Sequence, residues 1–62
     1  MNISDKMTLN VSEVAYVLGV SRPVVYQLIH REDFPAFKIG NRTVISRSAL
    51  EEWVDRQTRS GM

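Results

Sequence analysis

The side chains with most chemistry to offer fall on one short stretch, Arg22, Pro23, Tyr26, Gln27 and His30. Wound as a helix at ~100° per residue, they occupy about 140° of arc. That face is polar, rich in donors and carries one aromatic. Lys38, Asn41, Arg42 and Arg47 follow within the next seventeen residues. Guanidinium, ammonium, phenol and amide groups in this mixture suit the binding of an anionic, hydrogen-bonding partner. Bond-breaking chemistry has little to work with. There is no cysteine, which removes thiolate metal sites, cysteine nucleophiles and disulfides together. His30 is the lone histidine and lacks carboxylates in register on both sides, so no metal site is expected. Ser46 and Ser48 supply hydroxyls, but nothing in the sequence orients His30 as their base. The expectation is a binding protein, not an enzyme, without metal or cofactor.

The charge pattern agrees with an anionic partner. The formal net charge is only +1, yet residues 21–47 hold five basic side chains (Arg22, Arg31, Lys38, Arg42, Arg47) against Glu32 and Asp33. The two flanks are net acidic. Positive charge is thus concentrated in the middle of the chain. With 62 residues, 44% hydrophobic and 24% charged, the composition predicts one small folded domain over 1–62, with an ordered core of about 8–57. Met1 to Lys6 and Thr58 to Met62 are polar or small and are expected to fray. Neither an apolar leader nor a run of ~18 apolar residues occurs, so a cytoplasmic protein away from membranes is expected.

The elements that must position these groups are legible in turn. Asn10 followed by Glu13 has the form of a capping box. Val11, Val14, Ala15 and Leu18 then make one apolar face, and Gly19 ends the helix. Ser21 is a candidate cap for a second helix, with Pro23 in the first turn where its missing N–H costs nothing. Val25, Leu28 and Ile29 are its buried stripe, and Phe34-Pro35 place its end near Arg31. From Ala36 to Ile45 the period becomes two, with Phe37 and Ile39 on one face and Lys38 on the other. Gly40-Asn41 suits a primed two-residue turn, since both residues tolerate positive φ. Ser46 is a plausible cap for a third helix, running to about Gln57, with Leu50, Trp53 and Val54 inward. Glu51 and Glu52 near its start are expected to favour the helix dipole. Helix, helix, hairpin, helix is a mainly α fold with a small β-hairpin, the layout of a winged helix-turn-helix.

Ala15, Gly19 and Val25 also stand at the spacing of the small residue, turn glycine and buried β-branched residue of the helix-turn-helix family. Val14, Leu18, Val20 and Leu28 are apolar where that motif is apolar. The strings SEVAYVLGVSRPVVYQLI, FPAFKIGNRTVIS and RSALEEWV, within Leu9 to Trp53, resemble the excisionase and MerR-type winged helix domains of bacteria, phages and mobile elements. Two positions depart from that pattern: Val24 stands where a polar residue is frequent, and Thr43 where an aromatic is common.

The resemblance implies a sequence-specific binder of double-stranded DNA, with a recognition helix at about 22–31 in the major groove. A wing at about 36–45 would lie on the backbone or in the adjacent minor groove. Carried over position by position, Ser21 is a helix cap or a phosphate donor, and Arg22 forks onto a guanine edge or a phosphate. Pro23 sits beside them in the first turn. Tyr26 meets phosphate or packs on the first helix. Gln27 suits adenine, and His30 is a further contact or a plain surface residue. Lys38 and Arg42 flank a turn whose Gly40 and Asn41 allow close approach to the backbone. Arg47 reaches phosphate or pairs with Glu51. A long C-terminal dimerisation arm and effector domain are lacking, so no small-molecule effector is expected. The roles implied are an excisionase-like architectural factor in DNA recombination or a small transcriptional regulator, with a recombinase or integrase, or a second copy on the DNA, as further partners. A terminase-like DNA-packaging domain and a protein-docking winged helix are the alternatives.

Overall fold

The computed structural model describes residues 6–60, and the expectations for Met1–Asp5 and Gly61–Met62 lie outside the described residues. In chain order the elements are β1 (Thr8–Leu9), α1 (Val11–Leu18), α2 (Arg22–Ile29), β2 (Ala36–Ile39), β3 (Arg42–Ser46) and α3 (Arg47–Ser60). This is the expected mainly α fold with a winged hairpin, extended by one strand. The sheet order is β1-β3-β2, both pairings antiparallel. β1 was not legible because two residues show no alternation. Its place is decided by β3, with Leu9 opposite Ile45 and Met7 C=O accepting the Arg47 N–H at 2.9 Å.

One row across the sheet, Leu9, Ile45 and Ala36 in register, faces the helices. Ile45 is fully buried there beside Val14 and Val25, with Phe34, Leu50 and Trp53 completing the core. Phe34, which in the sequence marked only the end of a helix, is a core residue. Its ring meets Trp53 edge-on with centroids 5.0 Å apart. Asp33 Oδ2 accepts the Trp53 indole N–H at 3.1 Å, and the Arg31 guanidinium both pairs with Asp33 at 3.0 and 3.1 Å and stacks 5.8 Å from the Trp53 ring centroid. This latch ties the loop after α2 to α3. Desolvation raises the Asp33 pKa, but the Trp53 and Arg31 hydrogen bonds outweigh it and leave the carboxyl below its ordinary value.

The capping box at α1 forms in full, with the Glu13 N–H on Asn10 Oδ1 at 2.8 Å and the Asn10 N–H on Glu13 Oε1 at 2.9 Å. Lys6, expected to fray, instead donates to both Glu13 oxygens at 2.9 and 2.7 Å. Glu13 is only 5% exposed. The Lys6 hydrogen bonds, followed by that from Asn10, hold its pKa below the ordinary 4.5 against the opposing effect of burial. A depressed carboxyl pKa stabilises the fold above the ordinary carboxyl range, and that contribution is lost as pH falls through the lowered value. Glu13→Gln is therefore expected to cost about 1 kcal/mol at pH 7, roughly 4–8 °C in melting midpoint. It should also flatten the decline of the midpoint as pH falls below the ordinary 4.5; thermal melts with an unchanged acid limb in the variant would contradict this.

At the other end of α1, Gly19 has φ 71, and its N–H reaches Tyr16 C=O while the Val20 N–H reaches Ala15 C=O. These two bonds form a Schellman stop that a β-carbon would strain. Three details of the other elements differ from expectation. Ser21 occupies the N-cap of α2 but makes no side-chain capping bond, because Pro23 removes one N–H and that of Val24 goes to the Ser21 carbonyl. α2 ends at Ile29, two residues early, as the His30 and Arg31 N–H groups tighten onto Gln27 and Leu28. The hairpin turn is primed, as expected: only Gly40 has positive φ, at 61, the pattern of a II′ turn.

α3 is the third. Ser46 does cap it, its Oγ accepting the Ala49 N–H at 3.3 Å. The helix continues through Thr58–Ser60, beyond the expected Gln57, helped by an Arg59–Asp55 pair one turn apart. Because it begins at Arg47, Glu51 and Glu52 fall in the second turn and no acidic residue lies in the first. The dipole benefit, which decays within one turn, does not reach them.

Candidate nucleic-acid interface

The two parts of the molecule read as partner-binding come together at one cleft. The start of α1, the exposed flank of α2 and the turn between β2 and β3 enclose about 390 Å³, lined by Asn10, Val11, Ser12, Arg22, Tyr26, Asn41, Arg42 and Thr43. Arg22 and Tyr26 are four residues apart and so share one side of α2. Arg42 and Asn41 reach the cleft because the two-residue turn reverses the chain there, pairing Ile39 with Arg42. Among the described residues, no acidic one lines the cleft. Glu13 lies near enough to feel the Arg42 charge, but its carboxylate is already taken by Lys6 and Asn10.

The first bond within α1 is from the Val14 N–H to the Asn10 carbonyl, and Val11 and Ser12 ahead of it line the cleft. A helix start presents N–H groups with no intrahelical partner and a partial positive charge. Two guanidinium groups, a phenol, an amide and such a helix end are the kinds of group from which anion-binding surfaces are built. The signal for the α1 contribution was present in the sequence as the Asn10–Glu13 cap. Only the folded hairpin shows that this cap faces the wing.

The remaining candidates distribute around the cleft. Ser21, Pro23 and Gln27 are exposed on the outer face of α2 and His30 is exposed at its C-cap. Tyr26 is 49% exposed and belongs neither to the core nor to the residues packed against it. Lys38 is exposed on the wing and shares a sheet face with its cross-strand partner Thr43. Arg47 is apart. It stands at the opposite end of β3 from the turn, near Lys6, Met7 and Ser48, and pairs with Glu51 at 3.6 Å. Among the described residues no group of three or more His, Cys, Asp or Glu side chains could hold a metal ion. No helix is long and apolar enough to cross a membrane.

No curated protein and no solved structure matches the chain. A family profile described as a helix-turn-helix domain does, over residues 8–58, a span that contains α1, α2, the wing and nearly all of α3. With the Schellman turn between α1 and α2 and the hairpin set beside them, the chain belongs to the helix-turn-helix domain family, of the excisionase type.

Proposed function

We propose that this chain binds double-stranded DNA site-specifically, as an excisionase-like architectural factor or a small transcriptional regulator, and performs no catalytic step. The observation that carries the reading is the cleft itself, where Arg22 and Tyr26 of α2 meet Asn41 and Arg42 of the wing, with no acidic residue among the described residues of the lining. α2 enters the major groove. Arg22 and Gln27 face base edges, with Pro23 and His30 alongside, while Ser21 and Tyr26 meet phosphate. Ser21 is suited to this because its hydroxyl is not used as a cap. Lys38, Asn41 and Arg42 hold the wing on the neighbouring backbone or minor groove. Arg47 is a more distant backbone contact, made at the expense of its pairing with Glu51.

A module of this size buries ~600–1,000 Å² on DNA, so useful affinity calls for a second copy or a recombinase bound alongside. The setting is the cytoplasm of a bacterium, with a chromosomal, phage or mobile-element gene. The test is fluorescence anisotropy of a labelled duplex from the gene's own upstream or neighbouring region against a scrambled duplex, over several salt concentrations. About four phosphate contacts give a log–log slope of roughly −3 to −4. That slope, with preference for the native duplex, is the expected result. Absence of binding to both duplexes at low salt would replace this reading with the protein-docking one, which draws on the exposed Tyr16, Val17, Phe37 and Ile39.

A further inference from the structure

Val24 is an anomaly on α2. The helix presents polar or ring-bearing groups outward at Arg22, Pro23, Tyr26 and Gln27, and Val24, ~60° beyond Gln27 at the edge of that face, is 39% exposed and belongs neither to the core nor to the residues packed against it. A valine side chain can neither donate nor accept a hydrogen bond, so it has nothing to offer a phosphate or a polar base edge. Its β-branch also does not favour the helix. Covering its apolar surface is favourable only against an apolar partner.

We propose that Val24 is a specificity-determining residue that packs against a thymine methyl group in the major groove, so that the target site carries an A·T pair beneath it. The inference rests on the DNA-binding reading above. The thymine C5-methyl is the one apolar group that base pairs display in that groove. A G·C pair at the same place would put a polar edge against valine, desolvated and without a partner. Gln27 is three residues on, with Cβ atoms about 5–6 Å apart at that spacing, and its longer side chain can span the difference from the ~3.4 Å step between neighbouring base pairs. Glutamine pairs with adenine through N6 and N7. The two together read an A·T-rich step, Gln27 from an adenine and Val24 from a methyl on the adjoining pair.

The experiment uses the whole chain. A randomised duplex pool is first enriched for bound sequences, and each thymine of the enriched site is then replaced singly by deoxyuridine, which removes the methyl and nothing else. Anisotropy is measured for wild type and Val24→Ala. Val24 is exposed, so the variant keeps the wild-type circular dichroism and melting midpoint. One replacement is expected to weaken wild type roughly fourfold, the worth of one buried methyl, and to leave Val24→Ala unchanged. If every replacement is neutral, or the same loss persists in Val24→Ala, the assignment is overturned while specific DNA binding stands. A Val24→Ala variant that binds the thymine duplex as tightly as wild type also overturns it. Failure of the pool to enrich at all removes both this inference and the DNA-binding reading.

Discussion

Replacing Trp53 with alanine is expected to leave the chain largely unfolded at 37 °C. A buried tryptophan truncated to alanine costs ~3–5 kcal/mol, while a chain of this size holds only some 3–9 kcal/mol in total at 0.05–0.15 kcal/mol per residue. The site has little means of collapse. Trp53 joins α3 to Phe34 by an edge-on ring contact, to Asp33 by its indole N–H and to Arg31 by its ring face. All three partners lie on the loop leaving α2, so the loss frees the C-terminal end of that helix as well as exposing core. Trp53→Phe separates the contributions. It keeps a ring against Phe34 and removes the N–H, so its loss should be the smaller, and DNA binding should survive. Urea unfolding followed by far-ultraviolet circular dichroism checks both. A Trp53→Ala midpoint near that of wild type would show that α3 is dispensable to the core.

The second large effect concerns DNA. Arg22→Ala is expected to weaken binding to the preferred duplex by ~1–3 kcal/mol, about five- to a hundredfold or more, with a much smaller loss on scrambled sequence. Arg42→Ala is expected to weaken both duplexes alike and to reduce the magnitude of the salt slope by about one. Both residues line the same cleft but on different elements, Arg22 at the first position of α2 and Arg42 at the first of β3. A residue at the start of a helix lying in the groove reaches base edges, whereas one beside a hairpin turn follows the backbone. Both variants are exposed changes outside the core, so melting midpoints should stay near wild type. Wild-type affinity and salt dependence in both would sink the placement of α2 in the major groove.

Why these arginines share a cleft was not in the local pattern. Short-range rules were enough for α1, where the Asn10 cap and Gly19 stop are separated by a helix whose apolar face needs only its own spacing to be recognised. They sufficed for the α1–α2 turn and for the hairpin too, since a positive-φ glycine and a period of two are local demands on the backbone. They failed where the partner lay far along the chain. β1 exists only because β3 offers Leu9 a place opposite Ile45. Phe34 is core only because Trp53 sits across from it. Lys6 is ordered because a buried Glu13 needs a cation. Ser21 was misjudged for a different reason, a competition within one turn in which Pro23 removed a donor and the backbone carbonyl took the next.

The residue types of the candidate interface, and the side of α2 that carries them, were thus determined by the sequence alone, because helical periodicity follows from backbone geometry. Their convergence was decided by tertiary structure. Buried Val25 and Val14 set α2 against α1, buried Ile45 sets the wing against both, and hydrophobic contacts between residues distant in sequence leave no trace in local spacing. Those contacts bring Asn41 and Arg42 to Arg22, Tyr26 and the start of α1, and the same geometry puts Arg47 at the far end of β3, beside Glu51.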